Sequence, residues 1–195
     1  MSIISPVRTA DTSTPIIEVL AERWSPRAFD PIQPIDETKL TAALEAARWS
    51  PSAANSQPWR FIVARRGSAE FTSIKAALVG FNSAWAGSAG ALVVAIAEMT
   101  DADGTARTWA QYDLGQAIAH FSVQAHADDL HVHQMGGFDA DALRASFDLA
   151  ENLVPLSVTA VGNVGSPDQL PEGTREREMA PRERRALEEL LVVNS

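Results

Sequence analysis

The sequence predicts a single α+β domain, and three observations carry that prediction. Strand-like and helix-like segments alternate along most of the 195 residues, yet the glycine-rich strand-to-helix turn of a dinucleotide-binding unit is missing. A continuous apolar run from Ala91 to Ala97 has the pattern of a strand covered on both faces. A long segment from Trp109 to Leu130 carries apolar residues at helical spacing. Neither an internal repeat nor an interdomain linker breaks the chain.

The elements follow in order. Residues 1–14 are rich in Ser, Thr, Asp and Pro without apolar period and read as a flexible arm, leaving residues 15–195 as the one domain. Ile16, Ile17, Val19 and Leu20 offer a short helix face that ends before Ser25-Pro26, because a residue preceding proline is pushed out of the α region. Pro34 to Thr38 is a polar start signal for a second helix, with Leu40, Ala43, Leu44 and Ala47 on its apolar face and a stop at Ser50-Pro51. Trp59 to Ala64 is a strand rich in aromatic and β-branched residues, and a shorter helix spans about residues 68–78.

Ala91–Ala97 should be central to the sheet. In the helix of residues 109–130, Ala110, Leu114, Ala117, Ile118, Phe121 and Ala125 share a face, and the alanines permit close packing, as at a subunit contact. Val132–Met135 is a short strand running into Gly136-Gly137, and Asp139 is placed to cap a helix over Ala140–Ser146. Val154–Val164 is the last core strand. Pro167–Arg185 reads as a polar tail, after which Leu187, Leu190, Leu191, Val192 and Val193 turn apolar, as an arm that docks on a partner subunit would.

Composition excludes several chemistries. An apolar content of 46% argues against disorder. The net charge of -9 gives no general reason to bind nucleic acid or an anionic membrane, so any bound anion must be met by local arginines. Cysteine is absent, which removes disulfides, thiolate nucleophiles and Cys-ligated metals together. The longest apolar run, Ala89–Ala97, is too short to span a bilayer, and the N-terminus lacks the order of a signal peptide. A cytoplasmic protein is expected.

Three segments carry a resemblance. Arg23-Trp24-Ser25-Pro26-Arg27-Ala28-Phe29 has the form Arg-x-Ser-x-Arg-x-Phe. Ser50-Pro51-Ser52-Ala53-Ala54-Asn55-Ser56-Gln57-Pro58-Trp59-Arg60-Phe61 has the form Pro-Ser-x-x-Asn-x-Gln-Pro-Trp-x-Phe, the most specific of the three. Ala160-Val161-Gly162 and the basic stretch Pro181 to Leu187 complete the set. In this order they resemble the nitroreductase superfamily across nearly the whole chain. The resemblance implies a nitroreductase-like fold with a central, mainly antiparallel sheet. It also implies a homodimer with two flavin mononucleotide (FMN) sites at its interface and a C-terminal arm exchanged between subunits.

It further implies the site residues. Arg23, Arg27 and one or two of Arg182, Arg184 and Arg185 would meet the flavin phosphate, a dianion that suits arginine's fork, with Trp24 beside them and Ser25 adding a hydroxyl. Pro51, Ser52, Ala53 and Asn55 would reach the flavin of the other subunit, Asn55 and Gln57 offering amide donors and acceptors to the ring edge. Asn82 would face the pyrimidine. Met135, Gly136 and Gly137 would bring backbone amides to flavin N5 and O4, since glycine permits close approach. Where relatives carry Glu-Gly, this chain has Gly136-Gly137, which removes a carboxylate there.

Other signals are discounted. His131 and His133 share a strand face without a third ligand, and His120 and His126 lie six apart on the long helix, a poor spacing for a shared face. Asp101-Ala102-Asp103-Gly104 lacks the later ligands of a calcium loop, and Gly162-x-x-Gly165 is a lone glycine pair. No metal is expected. Trp49 and Trp59 read as core, Trp24 and Trp85 as pocket lining. The expected activity is an FMN-dependent NAD(P)H oxidoreductase, taking electrons from NADPH or NADH and passing them by a ping-pong reaction to a small electron-poor acceptor such as a nitroaromatic or quinone. With the flavin carrying the chemistry, no catalytic side chain is nominated. The alternatives are a flavin dehydrogenase or dehalogenase on the same scaffold, a non-catalytic flavin-binding or redox-sensing protein, and a scaffold that binds no flavin. A large lid is not expected, since residues 98–110 form a short stretch.

Overall fold

The structure, a computed structural model, describes residues 8–194; residues 1–7 of the arm expected over 1–14 lie outside the described residues. Helices α1 (Glu18–Glu22) and α2 (Glu37–Arg48) lead into strand β1 (Trp59–Arg65), followed by α3 (Ala69–Ala77) and β2 (Ala91–Glu98). Helix α4 (Ala110–Ala127), strand β3 (His131–Met135), helix α5 (Ala140–Ser146), strand β4 (Leu153–Gly162) and helix α6 (Glu172–Met179) complete the chain. The four strands form one sheet in the order β1-β2-β4-β3, every neighbouring pair antiparallel. The α+β class and the antiparallel sheet are as predicted.

Alternation along the strands builds two cores. On one face Ala64, Leu92, Val94, Ile96, Met135, Val158 and Ala160 pack with α3, α5, Phe29 and Trp85. On the other Trp59, Ala91, Val93, Ala95, Val132 and Val161 pack with α2 and α4. Ala91–Ala97 is buried throughout, and burying such a run stabilises by roughly 25 cal/mol per Å² of apolar surface. Pro155 lies in β4 beyond Met135↔Val158, the last pair with β3, beside a register shift opposite Ala95/Ile96; a proline is tolerated where the ladder is interrupted.

Asp139 caps its helix as read, and two further side chains cap helices. Asp36 accepts from the amides of Thr38 and Lys39 to start α2, Ser68 from Phe71 to start α3, and Asp139 from Ala142 to start α5. Four expectations change. α1 buries none of its residues, and Ile16, Ile17 and Leu20 are exposed. The alanine-rich face of α4 packs on its own sheet and on α2 rather than on a subunit contact. Trp49, read as core, is 74% exposed, whereas Trp85, buried and stacked on Phe29 at 6.2 Å, lines a cavity as read. The stretch read as a polar tail contains α6, whose buried residues are Thr174 and Glu178; a polar buried face leaves no apolar period to detect.

Candidate functional site

The two ends of the chain meet because residues 28–30 pair with residues 163–165. Phe29 bridges Val164, Asp30 N donates to the Asn163 carbonyl at 2.8 Å, and Gly165 N to the Ala28 carbonyl at 2.8 Å. A Cβ on Gly165 would sit 2.7 Å from the Phe29 carbonyl oxygen, so this glycine serves backbone packing, not phosphate. The side chain of Gln169 donates to the Phe29 carbonyl at 2.6 Å. α6 then places Glu178 under the motif. Its carboxylate, 1% exposed, accepts from the amides of Arg27 at 2.9 and 3.0 Å and of Ala28 at 3.1 Å, and lies 3.6 Å from the Arg27 guanidinium. A buried carboxylate needs such donors.

The result is a cavity of about 190 Å³ lined by Arg8, Arg23, Trp24, Ser25, Arg27, Arg177, Glu178, Ala180, Pro181, Arg182 and Arg184. Six arginines against one carboxylate make this a strongly positive spot in a chain of net charge -9. Partial burial lowers the pKa of Arg8, Arg23 and Arg182; neighbouring arginines lower Arg23 and Arg182 further, while at Arg8 the Glu178 carboxylate opposes the shift. All three remain charged at neutral pH.

The arginines do different work. One Arg182 nitrogen donates to the carbonyls of Arg8 and Ala21, so part of this side chain is a strut between chain ends. Arg177 lies over the Phe81 ring at 4.4 Å. Arg185 does not reach the lining. Arg8, Arg177 and Glu178 were not singled out from sequence, since each reaches the cavity by long-range folding.

The cavity lies along β3. Trp24 meets the His131 ring edge-on at 6.3 Å, and His133 Nδ1 is 2.9 Å from the Pro26 carbonyl. Burial pulls His131 and His133 down to about 4, with His126 adding to the effect on the first and Arg27 on the second. Further along, past Met135, whose side chain is core, the Asn82 amide donates to the Gly137 carbonyl at 3.2 Å. A Cβ on Gly137 would lie 2.8 Å from that amide nitrogen, whereas one on Gly136 would meet open space. Asn82, Gly136 and Gly137 are therefore together, about 10 Å along the strand from His133 at roughly 3.3 Å per residue.

The loop of residues 51–57 is elsewhere. It enters β1, at the sheet edge opposite β3, three strand spacings or on the order of 14 Å away. Ala54, Asn55 and Gln57 all have positive φ, at 51°, 54° and 47°, a strained run for residues other than glycine. It is held by Gln57 N donating to Ser52 Oγ at 3.0 Å, by Ala53 N donating to the buried Asp113 carboxylate at 3.0 Å, and by Ser50 Oγ, 2.7 Å from His120 Nδ1. Asp113 was another residue the sequence did not mark. The loop borders an open, mainly apolar hollow of about 280 Å³ with Trp109 and Tyr112, which meet edge-on at 6.3 Å.

Among the described residues no group of three or more His, Asp or Glu is placed to hold a metal. In the turn at 101–105, Asp101 Oδ1 accepts from the amides of Asp103 and Thr105. No described helix is long and apolar enough to cross a membrane.

Comparison with known proteins places this architecture. The nitroreductase family model matches residues 20–79. A solved structure described as an oxidoreductase containing FMN superimposes with a TM-score of 0.89 at 30% identity, covering 96% of each chain. An uncharacterized 15.4 kDa protein of Mycolicibacterium smegmatis is 36% identical over 139 residues, 67% of this chain and 92% of that one. The oxygen-insensitive NAD(P)H nitroreductase of Salmonella typhimurium is 26% identical over an aligned 191 residues, covering 76% of this chain and 88% of that enzyme. The chain belongs to the nitroreductase family.

Proposed function

We propose that this chain is a cytoplasmic, homodimeric FMN-dependent NAD(P)H oxidoreductase, and the observation that carries the reading is the arginine cavity. The residues fit the cofactor. Six clustered arginines, one of which, Arg8, has two buried donors without a partner among the described residues, are suited to a phosphate dianion, and the open face of Gly136 beside Asn82 offers backbone and amide groups to a ring edge. The intervening span along β3 suits the ribityl chain. FMN bound there supplies the hydride chemistry, accepting from NADH or NADPH and reducing an electron-poor acceptor such as a nitroaromatic or quinone in a second half-reaction.

The protein's part is to hold and orient. Arg23, Ser25, Arg27, Arg182 and Arg184 bind the phosphate, with Glu178 fixing the backbone of Arg27 and Ala28. Asn82, held by Gly137, orients the pyrimidine edge, and the backbone from Met135 to Gly137 lines N5 and O4. Pro51, Ser52, Ala53, Asn55 and Gln57 serve the flavin of a second copy. Two facts support this: in one chain they lie at the opposite sheet edge, and Leu187, Leu190, Leu191, Val192 and Val193 are exposed where a dimer arm would bury them. Residues 15–195 act as one domain, the C-terminal segment serving as that arm.

The test is an absorbance spectrum of the purified protein followed by anaerobic mixing with NADPH and with NADH. A flavin spectrum that bleaches with at least one nucleotide is expected. Flavin that stays oxidised with both would favour a non-catalytic flavin-binding protein, and a colourless protein that takes up no FMN would end the reading.

A further inference from the structure

We propose that Arg8, in the stretch preceding α1, is a further ligand of the anionic group in the arginine cavity, and that this anion clasps residues 8–10 onto residues 180–182. The proposal rests on reading the cavity as the flavin phosphate site. Neither the Arg-x-Ser-x-Arg motif nor the family match over 20–79 includes this residue.

The local geometry is specific. One Arg8 nitrogen donates to the Ala180 carbonyl at 3.2 Å, the guanidinium lies over the Trp24 ring at 4.1 Å, and the Arg8 carbonyl accepts from Arg182. Ala10 N donates to the Ala21 carbonyl at 2.8 Å. Arg8 is thus fixed by three contacts of its own and by the Ala10 backbone two residues on. Yet its Nε and its second terminal nitrogen are buried and have no hydrogen-bond partner among the described residues. Donors of a charged group left buried and unmatched are costly, and here five more arginines line the same cavity.

Glu178 does not resolve this. Its oxygens are engaged by the amides of Arg27 and Ala28, and its ion pair is with Arg27. A phosphate resolves it directly, because a planar guanidinium can present two parallel N–H donors to two oxygens of one oxyanion. The side chain that binds the anion also belongs to a segment tied to Arg182 and Ala180, so occupancy joins the two chain ends.

The experiment compares FMN with riboflavin, which lacks the phosphate, as ligands of the full-length chain and of its Arg8→Gln, Arg8→Lys and Arg27→Ala variants. Arg8→Gln should weaken FMN roughly ten- to hundredfold, the effect of losing hydrogen bonds to a charged group, and leave riboflavin unchanged. Arg8→Lys, which keeps the charge and loses the fork, should fall between, and remains informative if Arg8→Gln folds poorly. Hydrogen exchange at the Ala10 amide should slow when FMN binds the parent chain and not when it binds Arg8→Gln. Equal weakening of FMN and riboflavin would make Arg8 a structural strut and overturn the proposal. Discrimination lost in Arg27→Ala but kept in both Arg8 variants would overturn it while preserving the phosphate reading. Discrimination kept in every variant would end that reading itself.

Discussion

The arginine cavity beside β3 and the strained loop before β1 are the two halves of the proposed site, and they are built in opposite ways. The cavity is assembled within one chain from segments as far apart as Arg8 and Arg184, with its backbone fixed by a buried carboxylate. The loop is local in sequence, exposed, and held in left-handed conformations at Ala54, Asn55 and Gln57. In the cavity two donors of Arg8 are buried without a partner among the described residues; the loop and its Trp109–Tyr112 hollow face outward. A phosphate grip can be completed by folding alone, whereas in the proposed site the loop half comes from a second copy.

Perturbing each half should therefore give different signatures, and the largest should come from Glu178. Glu178→Ala strips the acceptors from two backbone amides and should cost about 2–4 kcal/mol of stability, at 1–2 kcal/mol per buried donor left unpaired. Urea unfolding would measure it, and a loss under 1 kcal/mol would show that the cavity holds itself together without its carboxylate.

Acid should act on the same half. His131 and His133 have folded pKa values of about 4 against roughly 6.5 when unfolded. A depressed histidine pKa contributes stability that is complete above the unfolded value and is lost as pH falls from about 6.5 toward 4. The expected loss is about 1–3 kcal/mol per histidine. Melting temperature across that window should fall, and His133→Phe should flatten the fall; an unchanged slope would mean that His133 is not the group being protonated.

Arg27→Ala should weaken FMN affinity by about 1.5–3 kcal/mol, read by flavin fluorescence, and leave acceptor preference alone. Asp113→Asn should do the reverse. By loosening the Ala53 amide it should cost about 1 kcal/mol, seen as a lower turnover with the FMN-to-riboflavin affinity ratio intact. If Asp113→Asn changed that ratio instead, the two halves would not be separable.

How much of this was legible follows from the range of the interactions. α2, α4 and β2 were readable because their apolar patterning reports on them, and Asp36 and Asp139 cap α2 and α5 from within three residues. The motifs marked Arg23, Ser25, Arg27, Arg182 and Arg184, which do line one cavity. α6 escaped because its buried face is polar, and Glu178 and Arg8 escaped with it, since their partners lie some 150 to 172 residues away. Asp113 was hidden on a helix read for its apolar face, and Trp49 misled because an aromatic residue on a helix usually packs inward. Arg185 carries the same charge as Arg184 and differs only in direction, which three-dimensional structure alone reveals.

The division of the site between two copies is tested most directly by complementation. Arg27→Ala disables the phosphate half and Asn55→Ala the loop half, so homodimers of either variant should hold flavin poorly or turn over slowly. If the halves come from different chains, a hybrid dimer of the two variants contains one site carrying both defects and one site carrying neither, and mixing should restore activity and FMN binding at that one site. A hybrid that recovers nothing would place both halves in the same chain and contradict the account.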